Sequence, residues 1–360
     1  MIYSPFRHLG SIFWKRRPIQ LTFFVTRLCN ARCPFCFYLS RENRSPDKSV
    51  ELSVDEIQKI SASLGNLLWL AFSGGEIFLR DDLVAITKVF YEQNQPALIL
   101  FPTNGLLPEL IRDRITEVLQ HCHKSTIVVK LSLDGPESLH NSMRGVGNSF
   151  QKTIKTYELL RPLLEEYPNF ELGINTVFCS ANQDVMPAVF DQVKGMDQVK
   201  THTVSLVRGE VAENSLKEVD LEKYRAIINR MAADLKEKRA GRYRFLGARL
   251  KAAQDILQRR LIYETAAQQK RLIPCYAGRL NLVLTESGDL YPCESFTMKI
   301  GNVRQAGYDL NELLASGAAK KIAAFIKNNG CFCTHECYFM TNILFNPALY
   351  PALLKEYLQL

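Results

Sequence analysis

The sequence of 360 residues contains no apolar run that approaches the ~18 residues of a membrane-spanning helix, so we expect no transmembrane segment. We also expect no signal peptide, because the apolar run 19–25 is short, includes polar residues and is followed by Arg27 rather than by a small-residue cleavage site. We therefore expect a cytoplasmic protein, in which thiols stay reduced.

A strong charge of one sign is missing as well. Lys and Arg total 45 and Asp and Glu total 37, and the resulting net charge of +8 is spread along the chain. A spread excess does not favour nucleic-acid binding, and we expect no nucleic-acid partner. The basic residues 15–17, which follow Phe13 and Trp14, leave peripheral contact with an anionic membrane open.

Cysteine, in contrast, is abundant, and most of the ten cysteines are grouped. Cys29, Cys33 and Cys36 form one group, and further groups follow near residues 275–293 and 331–337. In a reducing compartment such groups indicate metal binding or catalysis before disulfides. Cys122 and Cys179 stand alone, and we expect both to be buried apolar side chains.

Apolar strands alternate with helical segments in the first two thirds of the chain. The predicted strands are 19–26, 67–72, 97–101, 126–133, 170–178 and 201–207. This alternation predicts an α/β fold with a parallel sheet. Six units are too few for a closed eight-fold barrel, so we predict an open, curved, partial (β/α)6 TIM-like barrel. Active sites of such folds lie at the carboxyl ends of the strands, where polar residues such as Arg208 collect here.

Three thiolates on one loop can hold three irons of a cubane cluster, which usually takes four cysteines. One iron then keeps an open position for an external ligand, as in catalytic metal sites generally. Structural zinc is the alternative, although no further Cys or His follows nearby in the loop.

The pattern Cys29-x3-Cys33-x2-Cys36, with Phe35 before the third cysteine, resembles the signature of radical S-adenosylmethionine (SAM) enzymes. Four later segments match that family in order: Gly74-Gly75-Glu76, Thr103-Asn104-Gly105, Ser132-Leu133-Asp134-Gly135, and His140 to Arg144-Gly145. The resemblance covers about residues 20–210. Ile77 and Asn141 depart from the family's usual Pro and Asp, and neither departure removes a ligand.

The resemblance implies that the catalytic residues Cys29, Cys33 and Cys36 bind a [4Fe-4S] cluster with SAM at its open iron. It also implies SAM-binding residues: Gly74, Gly75 and Glu76 at the amino group, Asn104 nearby, Ser132 and Asp134 at the ribose and methionyl part, Arg144 at the carboxylate, Asn175 as a further candidate, and Phe35, Phe37 and Tyr38 along the adenine. Reductive cleavage of SAM, with an electron donor such as flavodoxin or ferredoxin, then gives a 5′-deoxyadenosyl radical that abstracts hydrogen from a substrate.

The C-terminal cysteines resemble part of the SPASM/twitch auxiliary-cluster extension. Cys275 is followed after twelve residues by Gly288, then by x4 and Cys293, around a predicted hairpin. The resemblance implies one auxiliary [4Fe-4S] cluster, for electron transfer or substrate binding, from five candidates: Cys275, Cys293, Cys331, Cys333 and Cys337. Which cysteine is spare stays open, and zinc is again the alternative. We expect His335 to face solvent.

The expected organisation is an N-terminal segment (1–18), the barrel (19–215), a helical bridge (216–271), the cysteine-rich extension (272–338) and an apolar tail (339–360). Only residues 1–18 precede the first strand, so we expect no fused domain for binding a peptide leader. The substrate, a peptide or protein or a small or lipid-like metabolite, stays open. A zinc-binding structural or interaction protein is the alternative function. We expect the apolar tail to pack on the protein, with membrane contact as the alternative.

Overall fold

A computed structural model describes residues 2–39, 48–241, 243–328 and 330–360. The strands in these residues are β1 (Gln20–Thr26), β2 (Trp69–Gly74), β3 (Leu98–Thr103), β4 (Thr126–Ser132), β5 (Phe170–Phe178), β6 (Thr201–Leu206), β7 (Asn281–Leu284), β8 (Asp289–Tyr291) and β9 (Gly301–Asn302). The α-helices are α1 (Val54–Ser63), α2 (Leu83–Asn94), α3 (Pro108–His121), α4 (Glu137–Arg144), α5 (Ser149–Leu160), α6 (Leu163–Glu166), α7 (Met186–Lys194), α8 (Leu221–Lys236), α9 (Ala248–Gln268), α10 (Leu310–Ala315), α11 (Gly317–Lys327), α12 (Glu336–Leu344) and α13 (Tyr350–Leu358). Short 3-10 helices cover Pro5–Ile12, Lys48–Val50, Ile77–Leu79, Asn214–Lys217 and Pro347–Leu349.

All nine strands belong to one sheet, in the order β6-β5-β4-β3-β2-β1-β7-β8-β9. Strands β1 to β6 run parallel, and β7 pairs in parallel with the other side of β1. Strands β7, β8 and β9 form an antiparallel meander that contains the predicted hairpin. Because β6 and β9 lie at opposite edges, the described sheet does not close, and the predicted partial barrel is confirmed.

The strand β1 is buried along its whole length, as expected for the centre of a sheet covered on both faces. Leu21 and Phe23 pack into the main core with the helices outside the sheet, and Phe24 packs in a separate cluster with residues of the C-terminal extension. The neighbouring helix α1 begins at a reciprocal capping box, which Ser53 and Glu56 form. Cys122 and Cys179 are fully buried, as expected.

The apolar tail packs on the protein. Helices α12 and α13 lie against α9, and Ile343, Leu353 and Leu360 join a second core between β6, α8 and α9. In the described chain, no helix combines the length and the apolarity that crossing a bilayer requires.

Two local features of the helices shape the region around the barrel. The segment after α4 forms two helices, α5 and α6, because Pro162 has no N–H to continue the first one. Helix α4 is short and has few apolar residues, and it carries Arg144 in its last turn.

Candidate active site

The loop after β1 brings its three cysteines to one cavity of about 360 Å³ inside the barrel. Backbone N–H groups donate to two of the sulfurs, from Ala31 to Cys29 at 3.4 Å and from Leu39 to Cys36 at 3.3 Å. Burial raises the pKa of the Cys29 thiol to about 12, and burial also raises the pKa of Cys33. The loop therefore holds three half-buried cysteines beside polar hydrogen-bond donors.

The bend after β2 packs directly on this cysteine loop. Gly75 N donates to Thr26 O and Glu76 N donates to Leu28 O, both at 2.8 Å. A Cβ on Gly75 would overlap the Leu28 carbonyl, and Gly74 has a φ of +122°, which favours glycine. Both glycines thus let the bend approach the backbone next to Cys29.

Glu76 is almost fully buried and joins the ends of β2 and β3. Its carboxylate accepts hydrogen bonds from the Thr103 hydroxyl and from Asn104 N, each at 2.8 Å. Burial raises the pKa of this carboxyl to about 7, although the hydrogen bonds act in the opposite direction. Asn104 in turn donates its side-chain amide to Asn30 in the cysteine loop at 2.7 Å. Glu76 is therefore placed to fix the loops that surround the cavity.

Arg144 reaches the cavity from the last turn of α4. One guanidinium nitrogen lies 2.5 Å from the fully buried Asp134 carboxylate, and the other donates to Cys33 Sγ at 3.7 Å. Burial alone lowers the pKa of Arg144, but Asp134 and Cys33 raise the pKa above its ordinary value. Asp134 also accepts from Val177 N at 3.0 Å and does not line the cavity. The structure thus places Asp134 behind Arg144 and holds that cation beside the cysteines.

The three aromatic residues of the loop do not all reach the cavity. Phe35 and Phe37 line the cavity, and Arg144 lies over the Phe35 ring at 5.4 Å. Tyr38 is not among the lining residues, because it packs on Phe24 and Phe296 and donates its hydroxyl to Glu286. Phe35 and Phe37, and not Tyr38, are therefore brought to the cavity.

Ser132 and Asn175 line the cavity in one row across the sheet. Ser132 pairs in register with Asn175, and Asn175 pairs with Thr203 on β6. All three residues face the same cavity as the cysteine loop. The carboxyl ends of β1 to β6 therefore meet there, as the fold class predicts.

An ion cluster that the sequence did not reveal forms another wall. Arg208, after β6, contacts Glu294 at 3.2 Å and Glu336 at 3.1 Å. His335 lies 3.4 Å from the same Glu294 oxygen and is only 6% exposed, so the expectation of a solvent-facing histidine is wrong. The side chain is buried because its ring packs against Phe37 and Tyr338; His335 occupies the N-cap position of α12, but its side chain makes no capping hydrogen bond. These acidic residues were missed because sequence position alone does not show that the extension reaches the barrel.

The C-terminal cysteines divide between two cavities. Four of them line a separate, mostly apolar cavity of about 610 Å³: Cys275, Cys293, Cys331 and Cys333. Cys337 instead lines the barrel cavity with Arg208, Glu294 and Glu336. Burial raises the pKa of both Cys333 and Cys337 to about 12. The structure thus sets Cys337 apart from the other four.

The donor set suits an iron–sulfur cluster at the first site. Three thiols of one loop share a cavity wall. Hydrogen bonds from two backbone N–H groups and from Arg144 to their sulfurs favour the thiolate form that a cluster needs, whereas burial favours the thiol. Across residues 2–39, 48–241, 243–328 and 330–360, no three Cys, His, Asp or Glu side chains are arranged so that they could hold one metal ion together.

Comparison with known families identifies the barrel. Residues 23–175, from β1 into β5, match the profile of the Radical SAM superfamily, and this span includes all three cysteines of the loop. The chain carries a radical SAM domain. Cys29, Gly75 and Arg144, which line the barrel cavity, all lie within this span.

Curated relatives resemble this domain in part. The chain is 32% identical over 146 residues to the antilisterial bacteriocin subtilosin biosynthesis protein AlbA of Bacillus subtilis, which is 40% of this chain and 30% of AlbA. It is 27% identical over 143 residues to the sporulation killing factor maturation protein SkfB of the same organism, 40% of this chain and 33% of SkfB. The chain thus spans about a third of the length of these two relatives.

A solved structure resembles nearly the whole chain in fold. Streptococcus suis SuiB bound to S-adenosylmethionine superposes with a TM-score of 0.60 at 18% identity, over 89% of this chain and 71% of SuiB. Another structure shows SuiB bound to the precursor peptide SuiA, with a TM-score of 0.56 at 17% identity, over 86% of this chain and 68% of SuiB. The similarity of fold therefore extends beyond the radical SAM domain into the C-terminal extension.

Proposed function

We propose that this protein is a radical SAM enzyme that cleaves SAM reductively and modifies a peptide. The observation that carries the proposal is the single cavity shared by the cysteine loop, the glycine bend and Arg144. A [4Fe-4S] cluster on Cys29, Cys33 and Cys36 would supply one electron for homolysis of the SAM C–S bond, which gives the 5′-deoxyadenosyl radical.

The residues of the chain bind and orient SAM in this proposal. Arg144 pairs with the SAM carboxylate while Asp134 holds the guanidinium in place. The Gly74–Gly75 backbone meets the amino group, and Glu76 fixes that bend against the loop after β3. Phe35 and Phe37 flank the adenine and exclude water.

The test is SAM cleavage by anaerobically reconstituted protein. With a low-potential reductant we expect release of 5′-deoxyadenosine and about eight irons per chain, four for each of two clusters. Cys33→Ala should abolish the release of 5′-deoxyadenosine and keep about four irons per chain. Cys122→Ala, which changes a buried cysteine outside both sites, should keep the release and the full iron content. Zinc in place of iron in purified protein, without SAM cleavage, would favour the structural zinc alternative.

We also propose that the auxiliary cluster is held by Cys275, Cys293, Cys331 and Cys333. The support is that these four share one cavity, while Cys337 lines the barrel. Replacing Cys333 by Ala should therefore remove about four irons per chain. Replacing Cys337 by Ala serves as the matched control and should leave the iron content unchanged, so equal iron loss in both variants would contradict the assignment.

Three observations favour a peptide as the substrate. AlbA and SkfB are named for bacteriocin biosynthesis and killing-factor maturation, and SuiB is described in complex with a precursor peptide. We propose a cytoplasmic enzyme that receives electrons from a donor such as flavodoxin or ferredoxin. Mass spectrometry of candidate precursor peptides, with 5′-deoxyadenosine release measured in parallel, tests this substrate class.

A further inference from the structure

A buried lysine lies one layer deeper in the barrel than Ser132 and Asn175, the two paired cavity residues expected at SAM, which we call the SAM row. Lys130 on β4 pairs in register with Gly173 on β5, and Gly173 pairs with Thr201 on β6. The next inward-facing row is Ser132 and Asn175, so the two rows lie about 7 Å apart along the strands. Lys130 lines the same cavity as the cysteine loop.

The sheet is shaped to hold this ammonium. Lys130 Nζ extends from β4 across Gly173 on β5 and donates a hydrogen bond to the Thr201 hydroxyl on β6. A Cβ on Gly173 would lie 2.5 Å from Lys130 Nζ, so a residue with a side chain would displace the ammonium. The absence of a side chain at Gly173 therefore makes room for the lysine.

Lys130 is buried without an ion-pair partner in the described structure. The residue is only 7% exposed, and within the described ranges no carboxylate oxygen lies within 4.0 Å of its ammonium group. Glu171, on the same sheet, is bound by Arg244 instead. An ammonium group buried without a carboxylate partner is costly to charge, and an anionic ligand at this place would offset that cost.

Helix α9 brings two more cations to the same place. Lys251 and Arg259 line the cavity beside Lys130, and the ammonium groups of Lys130 and Lys251 flank the Tyr243 ring at 5.6 and 5.7 Å. The acidic residue among them, Asp255, pairs with Lys251 and also attracts the Lys130 ammonium from beyond ion-pair distance, so it balances one of the three positive charges. The buried Nη1 of Arg259 has no hydrogen-bond partner in the described structure.

We propose that Lys130, Lys251 and Arg259 form a subsite for an anionic oxygen group of the substrate, a carboxylate or a phosphate. This subsite, the cationic floor, rests on the proposed function, because it would hold the substrate beneath SAM in the same cavity. An acidic side chain or a terminal carboxylate of a peptide carries the required group. Binding at the floor would fix one end of the substrate and direct another part toward the SAM row.

Calorimetric titration of the reconstituted, oxidised enzyme with SAM bound tests the floor with simple probes. Acetate or inorganic phosphate should bind saturably, and neutral acetamide, which has nearly the shape of acetate, should not. Tighter acetate binding indicates a carboxylate substrate, and tighter phosphate binding indicates a phosphorylated one. Lys130→Met and Arg259→Met should each weaken binding about tenfold, because each removes one charged partner.

Two matched variants complete the experiment. Lys155→Met removes an exposed lysine that pairs with Glu109 and should leave anion binding unchanged. Arg259→Lys keeps the charge and should retain most of the affinity, and Arg259→Met alone decides the question if Lys130→Met does not fold. The proposal is overturned if neither anion binds saturably, if acetamide binds as well as acetate, or if the methionine variants bind as the parent does. None of these readouts requires SAM cleavage, so they are independent of the 5′-deoxyadenosine assay.

Discussion

Replacing Arg144 by Met should strongly destabilise the protein and weaken SAM binding. The side chains of Arg144 and Asp134 are 9% and 0% exposed, and the variant would leave the Asp134 carboxylate buried with Val177 N as its remaining hydrogen-bond donor. Removing one partner of a buried ion pair typically costs about 3–5 kcal/mol of unfolding free energy. Urea unfolding of the cluster-free protein, followed by circular dichroism, measures this loss.

The matched control is Arg112→Met. Arg112 pairs with Asp113 at the surface, with side chains 40% and 63% exposed, so its loss should cost no more than about 1 kcal/mol. SAM affinity, measured on reconstituted protein, should fall for Arg144→Met and remain unchanged for Arg112→Met. If Arg144→Met unfolds within about 1 kcal/mol of the parent, the buried pair does not fix the loop as described.

Further predictions concern the glycine bend, the cationic floor and the tail. Gly75→Ala should lower the iron content of reconstituted protein by displacing Leu28, whereas Gly317→Ala, with open space around it, should not; equal iron contents would contradict this. Burial lowers the pKa of Lys130 to about 7, so the calorimetric affinity for acetate, which stays ionised near neutral pH, should be level just below pH 7 and fall toward about tenfold per pH unit above it, and a flat profile to pH 9 would oppose this origin. Ile343→Ala should lower the unfolding free energy by about 2–5 kcal/mol in urea titrations, against little change for the exposed Leu358→Ala.

The sequence was most informative where local chemistry determines local structure. The β5 bounds of 170–178 and the capping box at Ser53 follow from apolar patterning and hydrogen bonding between near neighbours. The three cysteines and the glycine bend each follow a strand, and parallel strands bring their carboxyl ends together, so their meeting at one cavity could be expected.

Other features depend on contacts between distant segments. The separation of Cys337 from Cys333, four residues earlier, depends on where α12 begins and how it packs on α9. Burial of His335 and the ion pairs of Arg208 require the extension to cover the barrel. Lys130 and Gly173 are 43 residues apart in the chain, and only the register between β4 and β5 places them side by side. Such relationships follow from tertiary packing, which spacing along the chain does not specify.

The pairing of β7 with β1 makes the extension part of the same hydrogen-bonded sheet as the barrel. A chain cut before β7 would leave the β1 edge unprotected, and exposed strand edges favour aggregation. The extension therefore cannot be exchanged between enzymes as a detachable module: a graft would need its own first strand in register with Gln20–Phe23, or the resulting chimera would lose solubility before its chemistry could be assayed.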